Sequence, residues 1–166
     1  MSKALIAATG IFMLATPCLG QDGGAPAAIY KSAEEIAVVL NQVDGAGAAG
    51  AAITISPGVS IRKRMSGVPQ YAIVHPWSME IYRILEGSGT FVTGGKLIPP
   101  LADSPSQDVV RTEHGIEGGL ARTVKAGDVL VLQPGTPHWF SRIDGEFITY
   151  MESRIQISTH PIRYDQ

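Results

Sequence analysis

The sequence predicts an all-β fold, a sandwich or barrel of short strands preceded by one helix. Nineteen glycines and eleven prolines among 166 residues call for many turns. From about residue 52 onward, apolar residues recur with the period of a strand, in runs that Gly, Pro, Asn or Asp punctuate. Runs this short, so closely spaced, leave no room for βαβ units.

Taken in order, the first twenty residues do not read as fold. MSK is a positive start, ALIAATGIFMLAT is apolar and PCLG is a small-residue exit toward Gln21. This is the layout of a secretory signal peptide cleaved near Gly20, with an apolar stretch too short for a comfortable membrane span. A periplasmic or secreted location follows. Cys18, the only cysteine, would leave with that segment, so thiol and disulfide chemistry are excluded from the mature chain. QDGGAPAAIY then reads as a flexible leader. Ser32 with Glu35 forms a capping box, and Ile36, Val39, Leu40 and Val43 follow at helical spacing, which predicts a helix over 32–43.

GAGAAGA breaks that pattern, and strands are expected over 52–56, 60–64, 70–75, 80–85, 90–92, 109–112, 121–124, 129–132, 138–141 and 147–152. Residues 94–108, GGKLIPPLADSPSQD, form a Pro-rich connection of the length usual for lids, binding loops or disorder. Apolar residues make up 45% of the chain, charged ones 17%, and the formal net charge is −2. That balance gives no basic excess for nucleic acid. One hundred and sixty-six residues are enough for one domain with a real core.

Two segments carry chemistry. In VHPWSMEIYRILEGSG, residues 74–89, His75 precedes Glu80 with four residues between them, and Gly87 follows. In GDVLVLQPGTPH, Gly127 is followed by Gly135 and, three residues later, by His138. Together these segments resemble the two motifs of the cupin superfamily, G-x5-HxH-x3,4-E-x6-G and G-x5-PxG-x2-H-x3-N, over about residues 50 to 155. The second motif is in register. In the first, His75 matches the second His, and Ile73 stands where the first would fall. Gln133 replaces the usual proline, and Arg142 falls where the family often has asparagine.

The resemblance implies a cupin-like double-stranded β-helix, a jelly-roll barrel with one N-terminal helix. With the readings above, the chain divides into a signal peptide (1–20), a leader with the helix (21–48), a cupin domain (49–157) and a tail (158–166). The resemblance also implies that His75, Glu80 and His138 are metal ligands.

Strand alternation extends the site. His75 inward carries Ile73 and Tyr71 inward, Glu80 carries Tyr82 and Ile84, and His138 carries Phe140 and Arg142. Two imidazoles and a carboxylate suit Fe, Mn, Zn or Ni, with open positions left for substrate, oxygen or water. Glu80, Tyr71 and Tyr82 are the candidates for moving protons. The basic run Arg62-Lys63-Arg64 reads either as a charged edge strand or as an inward pair, Arg62 and Arg64, meeting an acidic ligand. His114 and His160 read as a loop and a tail histidine.

Two functions of different class stay open. One is an exported metal-dependent enzyme of dioxygenase, lyase or isomerase type acting on a small polar or acidic molecule. The other is a non-catalytic, metal-free cupin that binds a small ligand, as the loss of one family ligand would allow. A homodimer is expected in either case, since sheet edges and apolar outer faces invite cover.

Overall fold

A computed structural model describes residues 26–43 and 49–157. The expected signal peptide, the start of the leader and the tail with His160 lie outside the described residues. The helix α1, Ala33–Leu40, is capped as the sequence predicts: Ser32 Oγ accepts from Glu35 N at 3.1 Å, and Glu35 Oε2 accepts from Ser32 N at 2.8 Å. It ends at Asn41, short of the expected residue 43, with Leu40 buried.

Among the described residues ten antiparallel strands follow, and the architecture is the all-β cupin-like roll. They are β1 (Gly50–Ser56), β2 (Val59–Met65), β3 (Ala72–Val74), β4 (Ser78–Thr93), β5 (Lys96–Leu97), β6 (Val110–Thr112), β7 (Ile116–Glu117), β8 (Leu120–Lys125), β9 (Val129–Leu132) and β10 (His138–Gln156). Two expected pairs of strands are single long ones. β4 joins 80–85 to 90–92, and β10 joins 138–141 to 147–152.

Each long strand serves both walls of the roll. The first half of β4 pairs with β9 and with the second half of β10, which also pairs with β2. The second half of β4 pairs with β8 and with the first half of β10. The expected turn at Gly-Ser-Gly is therefore a bend within a strand. Gly87 has φ +78°, and a Cβ there would lie 2.4 Å from the Phe147 carbonyl oxygen, so only glycine lets the strands approach this closely.

Between the walls lies the core. Ile84, Phe91, Ile148, Tyr150, Val124, Leu132, Phe140 and Tyr82 pack together, and a smaller group of Ala72, Val74 and Leu97 sits under Trp139. The 94–108 connection is tied down along its length. β5 pairs with β7, and Thr112 Oγ1 donates to the carbonyls of Ile98 at 2.6 Å and Pro100 at 3.0 Å. Among the described residues, no helix is long and apolar enough to cross a membrane.

Candidate metal centre and ligand cavity

His75 leaves the end of β3, the Pro-Trp connection turns the chain, and β4 brings Glu80 back on the same inner face. The alternation on β4 is strict here: Ser78, Glu80, Tyr82 and Ile84 are buried, with the residues between them more exposed. His138 opens β10, opposite Ile73 on one side and Thr93 on the other. The turn before it is fastened to the first motif, since Gly135 N donates to the His75 carbonyl at 3.0 Å. Thus both histidines are positioned by one piece of backbone.

The three side chains meet. His75 Nε2 is 3.5 Å from Glu80 Oε1, and His138 Nε2 is 3.3 Å from Glu80 Oε2. All three residues are buried, with one donor atom from each lying within 4.8 Å of the others. Each imidazole is fixed from behind: His75 Nδ1 donates to the Asp108 carbonyl at 2.5 Å, and His138 Nδ1 to the Thr136 carbonyl at 3.0 Å. Holding Nδ1–H this way turns each Nε2 lone pair toward the carboxylate, the orientation a metal ligand needs. His138 Nε2 accepts from the Tyr82 hydroxyl at 3.2 Å. His75 Nε2 is buried with no hydrogen-bond partner.

Burial sets the charges. It holds His75 down to about 3, with help from the Arg154 cation, and His138 down to about 4, so both rings are neutral. Glu80 is pushed up to about 8, burial outweighing the pull of Arg154. Two neutral imidazoles, one with an orphaned Nε2, and a buried carboxyl that needs a cation beside it to ionise fit a divalent ion. The contacts between Glu80 and the histidines are accordingly not ion pairs.

Sequence reasoning misses two neighbours. Arg154 donates from Nε to Glu80 Oε1 at 3.2 Å and from a terminal nitrogen to Glu152 Oε1 at 2.5 Å. Glu152 Oε2 in turn lies 2.9 Å from Arg62 Nε, an ion pair without hydrogen-bond alignment. The signal lies in the inward alternation Ile148, Tyr150, Glu152, Arg154, but the expected strand stops at Glu152. Asp108 is the other. Besides its carbonyl on His75, its carboxylate accepts from Trp77 N at 3.0 Å and Ser78 Oγ at 2.7 Å, fastening the end of the long connection to the turn between two ligands.

In front of the trio opens a cavity of about 460 Å³, a size that suits a small molecule. Phe140 and Tyr82 line it, and so do Arg62 and Arg64. β2 is no edge strand, because β1 and β10 flank it, and Lys63 points the other way over the Phe147 ring at 4.0 Å. Two expected positions differ. Tyr71 precedes β3, so the alternation does not hold it inward. It lies exposed at the cavity rim, where its hydroxyl donates to Glu113 Oε1 at 2.7 Å. Arg142 is outside the cavity lining, with a side chain 66% exposed and paired to Asp144 at 2.9 Å. A register shift between Phe140 and Arg142 breaks the alternation that would have brought it in. His114 is exposed and apart from the trio.

Fold and site together define a cupin-like β-roll with a buried His-Glu-His group able to hold a metal ion. No protein-family model and no curated protein matches the chain. Solved structures similar to it include an uncharacterized conserved protein with a double-stranded beta-helix domain from Klebsiella pneumoniae. That similarity is 14% identity and TM-score 0.40, over 64% of this chain and 74% of that one. Another is the DMSP lyase DddQ from Ruegeria pomeroyi, at 22% identity and TM-score 0.38, over 64% of this chain and 43% of that one. A Bacillus halodurans protein shows 16% identity and TM-score 0.37, over 62% and 67%. At these values the fold rests on the strand pairing itself.

Proposed function

We propose that this chain is an exported, metal-dependent cupin-type enzyme acting on a small polar or acidic molecule, with lyase, isomerase or dioxygenase chemistry. One observation carries the reading: His75 Nε2 is buried, unpartnered and turned toward Glu80 and His138. Leaving a buried nitrogen lone pair without a partner is costly, and a cation shared by the three side chains removes that cost.

His75, Glu80 and His138 would hold the ion, of Fe, Mn, Zn or Ni type. When bound, such an ion supplies Lewis acidity toward a substrate oxygen or activation of water or dioxygen. The protein's own part lies around it. Burial keeps the Tyr82 phenol protonated well beyond neutral pH, and its hydroxyl donates to His138 Nε2. Once that lone pair is taken up, the same O–H is free to donate into the cavity, which makes Tyr82 the proton holder of this reading. Tyr71 belongs to the rim, where it can contact a ligand at the entrance.

A second reading also has its own observation. Arg154 already brings a cation to Glu80 Oε1, as a metal-free ligand-binding protein would need. Metal content separates the two. The enzyme reading expects about one divalent ion per purified chain, removable by chelator and restored on addition. A chain that is metal-free as isolated and takes up none would leave the binding-protein reading.

Export rests on the pattern of residues 1–20, and intact mass of the exported protein should lack them. A homodimer rests on the exposed apolar residues of β9, Val129 and Val131, on a strand that among the described residues pairs with β4 alone. Light scattering that gives a monomer at high micromolar concentration would count against it.

A further inference from the structure

We propose that Arg64 and Tyr150 form a carboxylate subsite in the cavity, and that its ligand is a small carboxylic acid with a flat apolar body. The proposal rests on reading this cavity as the ligand site, and adds to it the chemical class of the ligand.

The charges in the cavity do not cancel. Arg62 is paired to Glu152, and Arg154 to Glu152 and Glu80, so two guanidinium groups meet two acidic side chains. Arg64 also lines the cavity, yet among the described residues no carboxylate lies within ion-pair distance of it. Its side-chain hydrogen bond is a long one, Nε to the Tyr150 hydroxyl at 3.5 Å. A guanidinium carries five N–H donors in a planar fork, and here nearly all of them are left for a ligand.

Tyr150 adds a further donor. Its oxygen accepts from Arg64, and among the described residues nothing accepts its own proton. Burial holds this phenol in its protonated form, so the O–H is available at neutral pH. One guanidinium without an acidic partner among the described residues, and one neutral donor beside it, suit a carboxylate with its two oxygens. A compact dianion would meet repulsion from Glu152 nearby.

The rest of the ligand is set by the walls. Phe91 and Phe140 meet edge to face with centroids 4.5 Å apart, and Tyr150 lies against Phe140 at 5.2 Å. These rings line the cavity beside the subsite with apolar aromatic faces and edges, against which a planar aromatic body can pack. At the rim Arg111 stacks over Tyr71 at 4.4 Å and spends its Nε on the Asp103 carbonyl at 2.7 Å, with no carboxylate partner among the described residues. Its charge draws anions toward the opening.

Calorimetric titration of the full chain with benzoate, benzamide and inorganic phosphate tests this, in chelator and again after Mn(II) or Zn(II) loading. Benzoate should bind about tenfold or more tightly than its neutral isostere benzamide, the usual size of a charge-assisted pair, and more tightly than phosphate. Arg64→Gln should abolish the preference for benzoate, Arg64→Lys should keep part of it, and Tyr150→Phe should weaken benzoate a few-fold with benzamide unchanged. Thermal melts confirm that each variant is folded. Because Arg64 and Tyr150 are not metal ligands, the preference should persist in chelator, and metal uptake is measured on the same samples. Equal binding of benzoate and benzamide, tighter binding of phosphate, no benzoate binding at millimolar concentration, or an unchanged preference in folded Arg64→Gln would each overturn the subsite. None of those results would touch the metal reading, which stands or falls on uptake.

Discussion

Arg154 stands directly opposite Glu80 across the β4–β10 ladder, with its Nε 3.2 Å from Oε1. The pairing makes the buried carboxyl one end of a chain, Arg62 to Glu152 to Arg154 to Glu80, that crosses from β2 over β10 to β4. Beyond Glu80 stand the two imidazoles. A divalent ion at the trio would share Glu80 with a guanidinium already in place.

Arg154→Met should therefore tighten metal binding. A dication repels the guanidinium with twice the charge by which the carboxylate attracts it, so removing Arg154 favours the loaded state more than the empty one. At about pH 8 we expect affinity to rise about tenfold, while the chelated variant loses about 1 kcal/mol with its hydrogen bonds. Metal competition assays read the first and denaturation the second. Weaker binding would show that Arg154 is needed to orient Glu80.

His138→Ala should abolish stoichiometric metal uptake and leave the fold standing. The strand ladder is untouched, and the loss of the ring and its Thr136 and Tyr82 partners should cost about 1–3 kcal/mol. Retained uptake with a folded spectrum would remove His138 from the ligand set.

Ile73→His should strengthen metal binding. Ile73 lines the cavity two residues before His75 and pairs with His138 across the ladder, so an imidazole there faces the same space. Isothermal titration should show a lower Kd than the parent. No improvement would mean that the new ring turns elsewhere.

The pH dependence has a definite sign. Glu80 is raised from 4.5 to about 8, so in the metal-free protein its contribution is full below 4.5 and is lost as pH rises through 8. His75 and His138 are lowered from 6.5 to about 3 and about 4, so theirs are present above 6.5 and lost as pH falls through those values. The chelated protein should be most stable near pH 6.5, since below it two histidines outweigh one carboxyl and above it Glu80 alone lowers stability toward pH 8. A metal needs Glu80 ionised and both rings neutral, so the gain in Tm on loading should be larger at about pH 8 than at about pH 5.5. A larger gain at the lower pH would contradict a neutral Glu80 in the metal-free site.

Much of this was legible in the sequence because it was local. Ser32 and Glu35 sit one helical turn apart, and the cap forms as their spacing predicts. His75, Glu80 and His138 carry spacings tied to two turns, and the strands deliver them to one point. What escaped depended on strand length and register. Taking glycines as turns cuts β4 and β10 in half, and ending the last strand at Glu152 leaves out Arg154. The bulge after Phe140 cannot be read from residue types, and it puts Arg142 outside. Asp108 acts through its carbonyl as much as its carboxylate, and a carbonyl leaves no mark in a sequence.

The two long strands also decide how the protein comes apart. A roll whose walls were separate sheets would open one wall at a time. Here β4 and β10 each donate and accept across both walls, so no wall can lose its ladder while the other keeps its own. In native-state hydrogen exchange the amides of Tyr82, Ile84, Phe91 and Tyr150 should then share one opening free energy, equal to that of global unfolding. The small β5–β7 ribbon, outside that unit, is free to exchange earlier.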